Sequence, residues 1–293
     1  MIVAAAALGG CGSGAKPGKS LGQQYQDALK LPDASQRARR LVSVAEKQQQ
    51  AADLNGVTAS LAAARDAARA VEDPASKANA LILVASAHAR LEQGADHVKQ
   101  LLKQSAEAIE KIEEPRAKVR PLADLASATS QHLGNADAAA AHLKAAEGAA
   151  DQIERPADRA QALGRIAAAY ARSQRDADRQ RIMDAARGLA DSQSDQRAKS
   201  DCLAEIAAAL SAMKMAEDAQ AAFAAAQETA GQIEDSESQA YALLNIAEKA
   251  KAARRTAHAK QLLTRAQDVA LKIKDTSLRG PLLDEIDAAL RQL

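Results

Sequence analysis

Asp124 and Glu205 are two carboxylates that share one register of a helical pattern, and the sequence also holds five histidines, His88, His97, His132, His142 and His258. Paired carboxylates can run hydrolysis when their surroundings split their pKa values. These two stand two structural units apart, about 20 Å if packed helices lie 8 to 10 Å from one another, which is too far for shared chemistry. The histidines form no His-x-x-x-His pair, and none lies beside a nucleophile in a catalytic signature, so metal or acid–base chemistry is not expected of them. Gly14-Ala15-Lys16-Pro17-Gly18-Lys19-Ser20 has the look of a phosphate loop. Its first Gly is one residue too close, and no strand precedes it. The expectation is a protein that is not an enzyme, with no cofactor, no metal and no small-molecule substrate.

Cys11 offers different chemistry. An apolar run, Met1 to Leu8, leads directly into Leu8-Gly9-Gly10-Cys11. Small residues ahead of a Cys let the chain lie extended in a peptidase site and present the thiol for acylation. The stretch resembles the lipobox of bacterial lipoproteins, in which the Cys is diacylated and becomes the first mature residue. The resemblance implies a lipoprotein signal peptide at 1–10, a flexible tether at 11–20 and a helical repeat domain at 21–293. It implies an acyl anchor in a bacterial cell envelope, and Gly12 after the Cys points to an outer membrane facing the periplasm. No Lys or Arg precedes the apolar segment, a departure from the basic start of signal peptides. A cytoplasmic adaptor with a mis-assigned start is the alternative. Eight apolar residues cannot span a bilayer. Cys202 has no partner in the chain, and there is no Cys-x-x-Cys motif.

Composition narrows the elements that position these residues. The 293 residues carry 39 Lys+Arg against 38 Asp+Glu, a net charge of +1, without the basic excess of a nucleic-acid binder. Aromatics are 1% of the chain and about a quarter of it is Ala, so base-stacking platforms are not to be expected. Ala favours helix and β-branched residues are scarce, which argues against a sheet-based fold.

The chain repeats about every 40 residues. With Ala34, Pro74, Pro115, Pro156, Gln196, Ser236 and Thr276 as position zero, a Leu returns at +7: Leu41, Leu81, Leu122, Leu163, Leu203, Leu243 and Leu283. At +10 stand Val44, Val84, Leu125, Ile166, Ile206, Ile246 and Ile286, and at +11 Ala in every unit but the last, which has Asp287. Steps of three and four residues mark one helical face. A second helix per unit carries stripes such as Leu61-Ala64-Ala68-Val71 and Leu263-Ala266-Ala270-Ile273. Asn55-Gly56, Gly94 and Gly134 fall between the helices and are expected to form the turns. One hairpin cannot bury its apolar face alone, whereas stacked hairpins share an elongated core. The expected fold is all-α, a right-handed α-solenoid of about six full hairpins with terminal half-repeats, and Asp287 marks a solvent-facing cap.

Leu163-Ile166-Ala167-Tyr170 and Leu203-Ile206-Ala207-Leu210 in first helices, with Ala259-Leu263-Ala266, Ala219-Phe223-Ala226 and Ala139-Leu143-Ala146 in second helices, resemble the tetratricopeptide repeat superfamily. The resemblance runs from Leu31 to Leu293. The units are about six residues longer than the family's 34, and Leu stands throughout for its Trp. Other α-solenoids of similar period, such as HEAT repeats, remain open.

Asp or Glu precedes most helix starts, and a cation stands at +3 in most units (Arg37, Lys77, Lys118, Arg159, Lys199, Arg279). Helix capping with i, i+4 pairing explains this column better than a ladder for an acidic partner. The family resemblance places the concave groove at +5 and +9. Position +5 reads Arg39, Asn79, Arg120, Gln161, Asp201 and Tyr241, and +9 reads Ser43, Leu83, Asp124, Arg165, Glu205 and Asn245. These columns vary while the core columns repeat. The expected function is a lipid-anchored scaffold that binds a protein or peptide in this groove, with Arg39, Arg120 and Arg165 toward one end and Asp201 and Glu205 toward the other, suiting a peptide of opposite charge order. No nucleic acid is expected.

Overall fold

A computed structural model describes residues 19–92 and 94–293. It contains fourteen α-helices and, among the described residues, no strand. A lone α1 (Leu21–Leu29) precedes six hairpins: α2 (Ala34–Gln50) with α3 (Leu54–Arg69), α4 (Pro74–Arg90) with α5 (Ala95–Glu110), and α6 (Pro115–Leu133) with α7 (Ala136–Asp151). Then follow α8 (Pro156–Arg172) with α9 (Asp176–Asp191), α10 (Gln196–Ala212) with α11 (Ala216–Gly231), and α12 (Ser236–Ala252) with α13 (Thr256–Ala270). A single α14 (Thr276–Arg291) closes the array. Every position zero of the sequence repeat is the first residue of a helix. The signal-peptide and tether assignments, with Cys11, lie outside the described residues. Among the described residues, no helix is long and apolar enough to cross a membrane.

The helix starts follow from their caps. Asp33, Asp73, Asp195, Asp235 and Asp275 each accept the backbone N–H of a residue two or three further on, which satisfies a donor that the helix leaves open. Where Glu114 and Arg155 replace Asp, no side-chain cap forms and Pro opens the helix instead. The +3 cations do not pair with these capping acids. Arg37 donates to the carbonyls of Leu31 and Pro32, and Arg279 to that of Ile273. Arg159 pairs with Asp151 and Lys199 with Asp191, at the last residues of α7 and α9. Four of the six cations, Arg37, Arg159, Lys199 and Arg279, therefore tie their helix to the end of the helix before it or the carbonyls just beyond, where a cation complements the negative helix terminus.

The repeating columns form the core. All seven residues at +10 and all six Ala at +11 are buried. At +7, Leu203 and Leu283 are only partly buried. Leu203 borders both stretches of the apolar core, and in α14 Leu282 takes the inward place. Cys202 is free and buried; burial pushes its thiol up to about 12, which leaves it protonated and inert. Asp287 is half-buried rather than fully solvated, because Gln267 of α13 donates to its Oδ1 at 3.0 Å.

Packing sets the direction of curvature. Each first helix meets the first helix of the next unit: α2 with α4, α4 with α6, α6 with α8, α8 with α10, α10 with α12 and α12 with α14. Each second helix touches its own partner and the next first helix, but no two second helices make comparable contact. First helices therefore crowd along an inner face, and second helices fan out behind them.

The turns between paired helices differ from the expectation. Gly134 ends α6 in the left-handed region, with φ of 61°. Gly94 also stands in its turn as expected, with φ of 77°, but Gly56 lies within α3, and the five turns other than that of Gly134 each hold a side-chain-bearing residue at positive φ: Ala52, Glu92, Gln174, Lys214 and Arg254. The N–H three residues after the helix closes a bond to the carbonyl five residues back in several of them, as in Arg175 to the Tyr170 carbonyl and Arg255 to that of Ala250. This C-terminal wrap holds a side-chain-bearing residue where Gly would be unstrained. Replacing Gln174, Lys214 and Arg254 together by Gly is expected to stabilise the protein by about 0.5 to 1 kcal/mol per site, part of the relief being offset by the freer unfolded chain. Chemical denaturation checks this, and an unchanged or lower midpoint would contradict the assignment of strain.

Candidate functional site

The inner face gathers residues from first helices only. A depression of about 360 Å³ runs across α6, α8, α10 and α12. Its polar rim holds Arg120, Asp124, Gln161, Arg165, Glu205, Arg172 and Lys249, and its floor is Gly164 with six alanines. The reason for the depression lies at +8. That position carries Val42 and Ile82 in the first two units, shrinks to Ala123, Gly164 and Ala204 in the middle three, and returns to Leu244. At Gly164 the helices are close enough that an added Cβ would stand 2.5 Å from the Cβ of Ala209, so Gly is required for α8 to lie against α10. A second depression of about 400 Å³ shares Arg120, Gln161 and Arg165 and continues past Arg116 at the start of α6 toward α4, where Ala75 and Asn79 line it.

A fixed cross-unit register governs the polar contacts. The +5 side chain of one unit meets the +9 side chain of the next: Gln161 Nε2 donates to both Glu205 oxygens at 3.3 Å, and Asn245 Nδ2 donates to Asp201 Oδ1 at 2.7 Å. Lys249 adds a 2.6 Å ion pair to Glu205. Asp124 lies 3.6 Å from Arg120 and 3.8 Å from Arg172, whose Nε also donates to Ser127 Oγ. Burial pushes the Asp201 carboxyl above its usual range, against the opposing hydrogen bond from Asn245.

Of the residues expected in the groove, Arg120, Asp124, Gln161, Arg165 and Glu205 line one depression, and Asn79 lines the adjoining one. The Asn79 Oδ1 is buried without a hydrogen-bond partner among the described residues. Asp201 and Asn245 pair with each other, and Tyr241 lies under the Arg197 guanidinium, 5.4 Å from the ring centroid. Arg39 is exposed and stands in the first unit, outside both depressions. The opposed charge order read along the chain is altered, because Asp201 and Glu205 are already engaged by Asn245, Gln161 and Lys249. Asp124 and Glu205 border one depression, yet each is taken up by its own cations. Arg172 and Lys249 went unread in the sequence; they lie at +16 and +13, the same helical face extended by two turns.

Among the described residues, no group of His, Cys, Asp and Glu is arranged to hold a metal ion. No protein-family model and no curated protein matches the chain. Among solved structures, it is similar to Ton1535 from Thermococcus onnurineus NA1, with a TM-score of 0.41, 16% identity and coverage of 89% of this chain and 94% of that one. It is also similar to a Rap protein in complex with the competence and sporulation factor, with a TM-score of 0.36, 15% identity and coverage of 93% of this chain and 80% of that one. The architecture rests on the helices described above and not on these two likenesses.

Proposed function

We propose that this protein is a lipid-anchored, tetratricopeptide-repeat-like scaffold that holds a protein or peptide partner against its inner face. One observation carries the reading: the first helices present a continuous surface whose +5 and +9 residues change from unit to unit, while the core columns beneath them repeat. A ligand spanning several units would meet a different side chain at each step, which is how a repeat array gains specificity. The depression across α6 to α12 has the volume of a ligand site, and its apolar floor between charged rims suits an extended chain. The anchoring part of the reading rests on Leu8-Gly9-Gly10-Cys11. Two acyl chains supply a stable hold where one gives only marginal binding.

The test has two arms in the bacterial host. Cys11→Ser is expected to move the protein from the membrane fraction to the soluble fraction and to abolish metabolic labelling by palmitate. Unchanged fractionation would refute the anchor and favour the cytoplasmic adaptor. A photo-crosslinking residue at Gln161 is expected to trap a partner, whereas one at Arg187 on α9 is not. Equal trapping from both positions, or none from Gln161, would refute the groove.

A further inference from the structure

The +5 to +9 register supplies an acceptor for a donor at two successive steps and fails at the step before them. Gln161 meets Glu205, and Asn245 meets Asp201. The same register matches Arg120 of α6 with Arg165 of α8, two cations where the next steps match a donor with an acceptor. Arg120 leans on Asp124 at 3.6 Å with its side chain 62% exposed. Arg165 is exposed and has no ion pair or hydrogen bond among the described residues. Both line both depressions. Around the floor that crosses α6 to α12, four cations face only two carboxylates, and those two are already engaged by Arg120, Arg172 and Lys249. Arg165 is left without a counter-charge beside the Arg120–Asp124 pair, and a carboxylate seated on its guanidinium would accept planar, paired hydrogen bonds.

We propose that the Arg120–Arg165 step seats an Asp or Glu side chain of an extended peptide, so that the partner is acidic where it crosses α6 and α8. This rests on the groove reading above and narrows it to a class of partner. The small floor residues Ala123, Gly164 and Ala168 let the peptide backbone approach the helices while its carboxylate reaches the rim. The lining contains no aromatic ring on which a base could stack, and the adjoining Ala surface favours a peptide over a free anion.

The probe is a fluorescent, N-acetylated and C-terminally amidated Ala/Ser peptide with spaced Glu residues, so that only side-chain carboxylates carry charge. Fluorescence anisotropy with the full chain at low salt is expected to show binding that falls about tenfold when Gln replaces Glu in the peptide. A similar loss is expected for Arg165→Gln and for Arg120→Gln, with binding that weakens as salt rises. Arg187→Gln on the outer helix α9 should bind as the wild type does, and circular dichroism should show both groove variants folded. The proposal is overturned if the wild type does not bind the Glu peptide, if Glu and Gln peptides bind alike, or if Arg165→Gln binds unchanged. It is also overturned if Arg165→Gln loses binding only to vesicles of anionic lipid. A partner trapped from Gln161 alongside a failed peptide assay would sink this inference and leave the groove standing. Failure to trap any partner would sink the groove itself.

Discussion

Replacing Ala207 by Asp is expected to destabilise the protein by about 3 to 5 kcal/mol, the cost of a buried charge without a partner. Ala207 is fully buried at +11 of α10, in the column where six units place a methyl group between neighbouring first helices. The chain shows what a carboxylate needs at this register. In α14, Asp287 occupies it half-buried, with a hydrogen bond supplied by Gln267. In the variant, burial would raise the carboxyl pKa above its unfolded value. The sign follows: the penalty is full at pH values above the folded pKa and shrinks as pH falls through it, so the gap from wild type narrows in acid. Asp287→Ala, by contrast, should shift stability by no more than about 0.5 kcal/mol. Denaturation of both variants across pH checks this, and near-equal effects would contradict the burial assigned to the column.

Phe223→Ala is expected to cost about 3 to 5 kcal/mol, the range for truncating a buried ring. Phe223 is the only Phe in the chain and is fully buried in α11. The His258 ring meets it edge-on at 5.7 Å, and the Arg255 guanidinium lies 5.6 Å from its centroid. Both neighbours belong to the next hairpin, at its turn and in α13, so the ring couples the fifth and sixth units. Because each unit touches only its neighbours, the loss should spread locally instead of unfolding the array at once. Hydrogen exchange is expected to accelerate in α11 to α14 while α2 to α5 keep their protection. Uniform acceleration along the chain would show one cooperative globule.

The core was legible because its signal is periodic. The +7, +10 and +11 columns needed no partner sequence to find, and the helix starts fell at the expected residues because capping Asp and first-position Pro are local chemistry. Gly94 and Gly134 were legible as turn residues, but the remaining turns were not, for a physical reason: the C-terminal wrap holds Ala52, Glu92, Gln174, Lys214 and Arg254 in the left-handed region, where sequence reasoning looks for Gly. The i, i+4 pairing expected of the +3 cations does not form; Arg37, Arg159, Lys199 and Arg279 find their partners at or just beyond the end of the preceding helix, which spacing within one helix cannot show. Tyr170 could be read as core, yet not its hydroxyl's bond to Glu147 at 2.5 Å, with Arg181 donating to the same carboxylate. Burial opposes the Glu147 charge, but the hydrogen bonds from Arg181 and Tyr170 outweigh it and hold the carboxyl below its usual range. The +5 and +9 columns were legible as a register of the first helices. The pairing of Asp201 and Glu205 with residues 44 positions away was hidden until the units were stacked.

Solution X-ray scattering tests the stacking most directly. A compact globule of this length would have a radius of gyration of about 19 Å. Hairpins that contact only their neighbours along a line must give a larger value, with a pair-distance distribution skewed to long distances. A symmetric distribution with a radius near the globular value would contradict the array, and with it the inner face on which the proposed partner lies.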